Sequence, residues 1–168
     1  MTDDLRRPIE YLFAEHDHQR VMCATLERLA EAPDSVDAAD AARVVLDYVE
    51  NRLGPHYGDE EKDLFPLLRQ RADPDDGIDT ILNMLSEEHA ADDALLRRLI
   101  GPLRAIAEGR PLADAGVFAA DARAFSVLQR RHLAWENGTV LPLARRRLSD
   151  EDLRALGERM AARRKQGG

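Results

Sequence analysis

Two stretches of this chain repeat one spacing of metal-binding side chains, and few folds can use such a repeat. The first stretch reads Glu15-His16, then His56, Glu60 and Pro66; the second reads Glu88-His89, then His132, Glu136 and Pro142. His16 precedes His56 by 40 residues and His89 precedes His132 by 43, after which both copies follow H-x-x-x-E with a proline six residues past the glutamate. Four of the five histidines fall in this frame. A chain so patterned is built to hold metal between helices.

The remaining sequence supports helices throughout. Leu12, Leu26 and Leu29, and again Leu96, Leu99 and Leu103, recur at the spacing of one helix face, and no stretch alternates as a strand would. Breakers divide the chain into four long helices, at about 4–31, 36–71, 78–108 and 113–147, and a short fifth that starts at Ser149. Short loops between long helices imply an all-α, up-down-up-down four-helix bundle with a short extra C-terminal helix. The expected organisation is a bundle over 1–148, followed by a short helix and basic tail over 149–168. At 168 residues the chain is long enough to bury about 70% of its unfolded surface without staples.

Counting 1.5 Å per residue from each loop puts His16, His56, His89 and His132 in one slab across the middle of the bundle. His56 with Glu60, and His132 with Glu136, stand at i and i+4 and share a face. Glu61 and Asn137, about 100° further around, are expected to point elsewhere. The alternative is a dry polar core. Against it, two buried carboxylates without compensation cost several kcal/mol each, and Arg20 and Arg52 are the only cationic side chains near the inward positions. Six nitrogen and oxygen donors without a thiolate are too many for one tetrahedral zinc. Shared by the repeat, they suit two octahedral irons, with manganese second, each held by two histidines and bridged by the glutamates. An oxo or hydroxo bridge, water or a small ligand would fill the exchangeable positions.

These residues resemble the hemerythrin-like proteins with the HHE cation-binding domain. The likeness rests on H…H-x-x-x-E…H…H-x-x-x-E over residues 16 to 136, with the phrases Glu15-His16, Glu60-Glu61, Leu64-Phe65-Pro66, Glu88-His89 and Val140-Leu141-Pro142. It implies a bundle with a non-haem di-iron centre, oxo-bridged, that handles O2, hydrogen peroxide or nitric oxide. Carried over residue by residue, the metal ligands are His16, His56, Glu60, His89, His132 and Glu136. The chain departs from the oxygen carriers of the family, which have a histidine four after the one at His89. Asp93 stands there instead, so reversible O2 carriage is in doubt. Turnover of peroxide or nitric oxide competes with an iron or O2 sensor, and with an iron-storage or repair module.

Other residues are read more plainly. His18 is expected at the surface, Cys23 and Trp135 in the core, and Tyr48 and Tyr57 as packing residues, with a role at the metal left open for both and for Asp93. Whether Gly54-Pro55 and Gly101-Pro102 break their helices or re-aim His56 stays open. One cysteine, no signal-like N-terminus and no long apolar run lead us to expect a cytoplasmic protein without a membrane span. A net charge of −8 argues against nucleic acid. The arginines at 145–147 and 159–164 are expected to face solvent at helix C-termini. A protein partner cannot be named from the sequence.

Overall fold

The computed structural model describes residues 3–166; Met1, Thr2 and the closing Gly167 and Gly168 of the basic tail lie outside the described residues. Among the described residues there is no strand, and five helices make up the fold. After a 3-10 turn at Asp3–Arg6 come α1 (Pro8–Glu31), α2 (38–71), α3 (Ile78–Ala107), α4 (115–147) and α5 (Asp150–Gln166). α1 packs on α2 and α4, and α3 packs on the same two, so the first four form the expected antiparallel ring. Among the described residues no helix is long and apolar enough to cross a membrane.

The helix ends follow from local chemistry. Pro8 opens α1 where its missing N–H costs nothing, and Ala32 closes it just before Pro33. Gly77 and Gly109 take φ of 59° and 68° at the start and end of α3, a conformation that strains other residues. Asp114 accepts the Val117 N–H at 2.9 Å to cap α4. At α5, Ser149 Oγ accepts the Asp152 N–H while Asp152 accepts the Ser149 N–H, both at 3.1 Å. Ser35 does not cap α2 but donates to Asp37 ahead of the helix.

Three of the prolines inside helices have a shared explanation. α2 contains π turns at Val49–Leu53 and Glu60–Leu64, and α4 contains one at Glu136–Val140. In the last two, the N–H of Phe65 and of Leu141 reaches back five residues, to the carbonyls of Glu60 and Glu136. Pro55, Pro66 and Pro142 each stand two residues past such a turn. A helical proline clashes with the carbonyl four residues before it, and widening that turn relieves the clash. Neither Gly-Pro pair breaks its helix: α2 continues through a π turn, and α3 runs past Pro102 to Ala107.

Two apolar clusters fill the bundle. One includes Met22, Leu26, Val45, Leu99 and Phe125; the other includes Ile9, Leu12, Leu64, Phe65, Leu82 and Leu141. α5 contributes Leu156 and Met160, both fully buried, to the second cluster. A Cβ on Gly157 would lie 2.1 Å from the Leu5 carbonyl oxygen, so the close approach of α5 to the N-terminal turn requires glycine.

The C-terminal arginines correct one expectation. Arg163 and Arg164 together hold the carboxylate of Asp59, with Arg164 at 2.6 Å, and Arg163 and Arg159 hold Asp63 at 2.5 and 2.6 Å. Arg147 pairs with Asp73 and Asp76. Buried carboxylates on α2 draw Arg163 and Arg164 inward, while Arg147 reaches the turn before α3; the solvent-facing reading fits Arg145 and Arg146. Trp135 also departs from expectation: it is 40% exposed, because Glu136 takes the inward position and turns its neighbour outward.

Candidate metal centre

Between the two apolar clusters lies a polar layer to which each long helix contributes. α1 supplies His16, α2 His56 and Glu60, α3 His89, and α4 His132 and Glu136, and all six are at least 94% buried. The heights deduced from the loops are those observed. The imidazole centroids of His16 and His56 lie 5.1 Å apart, and those of His89 and His132 4.6 Å apart.

The donor atoms converge. Glu60 Oε1 lies 3.5 Å from His16 Nε2 and 3.2 Å from His56 Nε2, while its Oε2 lies 3.3 Å from His89 Nε2. Glu136 Oε2 lies 3.3 Å from His16 Nε2, and its Oε1 3.1 Å from His132 Nε2. Two overlapping sets result, His16-His56-Glu60-Glu136 and Glu60-His89-His132-Glu136, each with its donor atoms within 4.8 Å of one another. All four Nε2 atoms and all four carboxylate oxygens are buried without a hydrogen bond. Eight such orphans at one point would cost several kcal/mol for each carboxylate, and cations offset that cost. These buried His and Glu groups are able to hold metal.

The far sides of the rings carry the supporting contacts. His16 Nδ1 meets Asn137 Oδ1 at 2.6 Å, His89 Nδ1 meets Glu61 Oε1 at 2.6 Å, and His132 Nδ1 meets Glu88 Oε2 at 3.0 Å. His56 Nδ1 is buried with no partner. Glu61 and Asn137 were expected to point elsewhere, and the geometry corrects this. Being 100° around from the inward glutamate places each at the seam with the next helix, within reach of a histidine's outer nitrogen. The repeat carries one mark of them: both residues follow the glutamate of H-x-x-x-E directly.

A second network lies one helical turn away. Tyr57 donates to Asp92 at 2.8 Å, Gln129 donates to Asp92 at 2.5 Å, and the Tyr57 ring sits 4.0 Å from that of His89. The sequence singles out Asp93, one turn past His89, but the packed bundle buries its neighbour Asp92 instead. Asp93 is exposed, while Asp92 is fully buried, with burial pushing its carboxyl up to about 6. Tyr48 is buried with its hydroxyl unpartnered and the Arg52 guanidinium over its ring, whereas Tyr57 touches the polar layer directly. His18 lies outward as expected, 3.4 Å from Glu15. Cys23 is a core residue whose thiol burial pushes up to about 12.

Charge in the layer sets its pH behaviour. Burial pushes His56 down to about 3. Burial also works against His89, but the Glu60 and Glu61 carboxylates outweigh it and hold the ring up at about 10; for His132 the Glu136 carboxylate does the same, at about 9. A bound metal needs neutral imidazoles, so uptake at neutral pH displaces the protons of His89 and His132. Metal affinity is therefore expected to rise between pH 6 and 9, by up to about tenfold per pH unit for each proton displaced. Calorimetry in buffers of different ionisation enthalpy counts those protons. In the metal-free protein the same two rings, raised on folding, stabilise fully below the unfolded value near 6.5 and lose that contribution as pH climbs through 9 to 10.

No curated protein matches the chain. The family model described as the hemerythrin HHE cation binding domain matches residues 7–144, from the residue before α1 into the last segment of α4. That span includes every one of the converging histidines and glutamates, and the chain belongs to the hemerythrin family with its HHE cation-binding domain.

Proposed function

We propose that this protein holds two non-haem irons, with manganese as the second choice, and reacts with a small oxidant such as O2, hydrogen peroxide or nitric oxide. His16 and His56 would hold one ion and His89 and His132 the other, with Glu60 and Glu136 shared between them. The observation that carries this reading is the convergence of eight buried, unpartnered nitrogen and oxygen atoms in two overlapping sets. The donor count exceeds what one tetrahedral zinc takes, and the absence of thiolate from both sets favours the harder, octahedral ions. When bound, such a pair of ions supplies one-electron redox chemistry and exchangeable coordination positions for a small molecule.

The chain's own residues supply the rest. The apolar clusters on both sides exclude water from the layer. Asn137, Glu61 and Glu88 fix the ring orientation of three histidines, and Asp92, with a carboxyl near neutrality, can hold or release a proton beside the Tyr57 hydroxyl. We also place the protein in the cytoplasm, a setting that suits its single buried cysteine.

Iron-loaded protein is expected to consume peroxide or nitric oxide faster than the same concentration of free iron. His56→Ala and Glu136→Ala should lose that excess while remaining helical by circular dichroism. Loaded protein no faster than free iron on either substrate would retire the reactive reading in favour of a sensor or storage module without turnover.

A further inference from the structure

The two metal positions share their carboxylates evenly, but their histidines are not supported alike. Glu60 turns one oxygen to each side of the layer, and so does Glu136, so neither carboxylate favours one position. The difference lies at the Nδ1 atoms. Both rings of the His89–His132 position face carboxylates, Glu61 and Glu88. In the His16–His56 position one ring faces the neutral amide of Asn137, and the other faces nothing. A carboxylate at Nδ1 draws the ring proton outward and makes Nε2 a stronger donor, and losing such a partner typically costs about 10–100-fold in metal affinity.

The asymmetry originates in particular substitutions between the repeats. The residue after the shared glutamate is Glu61 in one copy and Asn137 in the other. The residue before the first histidine is glutamate in both, yet the two behave differently. Glu88 reaches His132 Nδ1 while Arg131 steadies its other oxygen at 2.5 Å. Glu15, which by the repeat would serve His56, is buried but pairs instead with Arg52 at 2.5 Å and lies 3.4 Å from His18. The second repeat has Leu128 and Ala91 where the first has Arg52 and His18, so Glu88 meets neither of the groups that hold Glu15.

We infer that the two positions are unequal: Glu61 and Glu88 make His89–His132 the tight position, and His16–His56 is the one that fills last and exchanges. The inference rests on the two-metal reading above. Glu61, Glu88 and Asn137 act here as positioning residues, through the rings they contact.

The test is anaerobic titration of the metal-free, full-length protein with Co²⁺, followed by calorimetry and visible absorption. With the protons displaced from His89 and His132 counted and corrected for, the expected result is two binding steps separated by at least about tenfold in affinity. His132→Ala should remove the tighter step and His56→Ala the weaker one. Glu61→Gln with Glu88→Gln should bring the steps together, whereas Glu15→Gln should leave them apart. Asn137→Asp should tighten the weaker step, a gain that misfolding cannot produce. Crystals given one equivalent of Co²⁺ should show anomalous density between His89 and His132, a readout that does not depend on variants folding. Two ions bound with equal affinity, or first occupancy at His16–His56, would overturn the inference and leave the two-metal reading standing. No Co²⁺ uptake at all would overturn both.

Discussion

Glu60→Ala is expected to strip metal from both positions at once, taking retained iron from about two ions per chain to well below one. One oxygen of Glu60 lies near His16 and His56 and the other near His89, so one substitution removes a donor from each set. His56→Ala, by contrast, touches one set only and should leave close to one ion per chain. Because cations bound only to the folded state stabilise it, the loss should also appear as a lower melting temperature. For ligand at about a thousandfold over its dissociation constant that linkage amounts to about 4 kcal/mol. Metal analysis and thermal melts of the two variants, side by side, make the comparison. Equal retention by wild type and Glu60→Ala would remove Glu60 from the shared role.

The second large effect is expected far from the metal layer. Leu156→Ala and Met160→Ala in α5 should each destabilise the protein by about 2–5 kcal/mol, a large share of the 5–15 kcal/mol that holds a typical domain together. Both side chains are fully buried in the cluster built from Leu5, Ile9, Leu64 and Phe65. α5 also brings Arg163 and Arg164 to Asp59, the residue directly before Glu60, so loosening it disturbs the segment that presents a metal-facing carboxylate. Urea denaturation of the metal-free variants measures the cost without the metal linkage. A change below about 0.5 kcal/mol would mean that α5 merely lies on the surface.

The fold was legible because its evidence is periodic. The leucine spacing, the prolines and glycines between segments and the matched heights of four histidines all act along single helices, and together they specify an antiparallel bundle. The inward residues of the polar layer were legible for the same reason, since H-x-x-x-E spans one helical turn. What escaped sequence reasoning depends on contacts between helices. Whether Glu61 and Asn137 face away or reach a neighbour's imidazole is decided by the seam between helices, not by the angle on their own helix. Asp92 and Asp93 differ by one step of rotation, and only the packed bundle tells which is buried. The inward turn of Arg163 and Arg164 requires knowing that α5 folds back on α2. The π turns lie between these cases. A proline six residues past each glutamate was plain to see, but the widened turn that makes room for it became clear only from the backbone.

The most direct test of the two-iron centre is elemental analysis of the purified or anaerobically iron-reconstituted protein, read together with its ultraviolet-visible spectrum. The expected result is about two irons per chain, with charge-transfer absorption that changes when peroxide or nitric oxide is added. A chain that neither carries metal nor takes up ferrous iron would contradict the account and leave a helical bundle with a polar core.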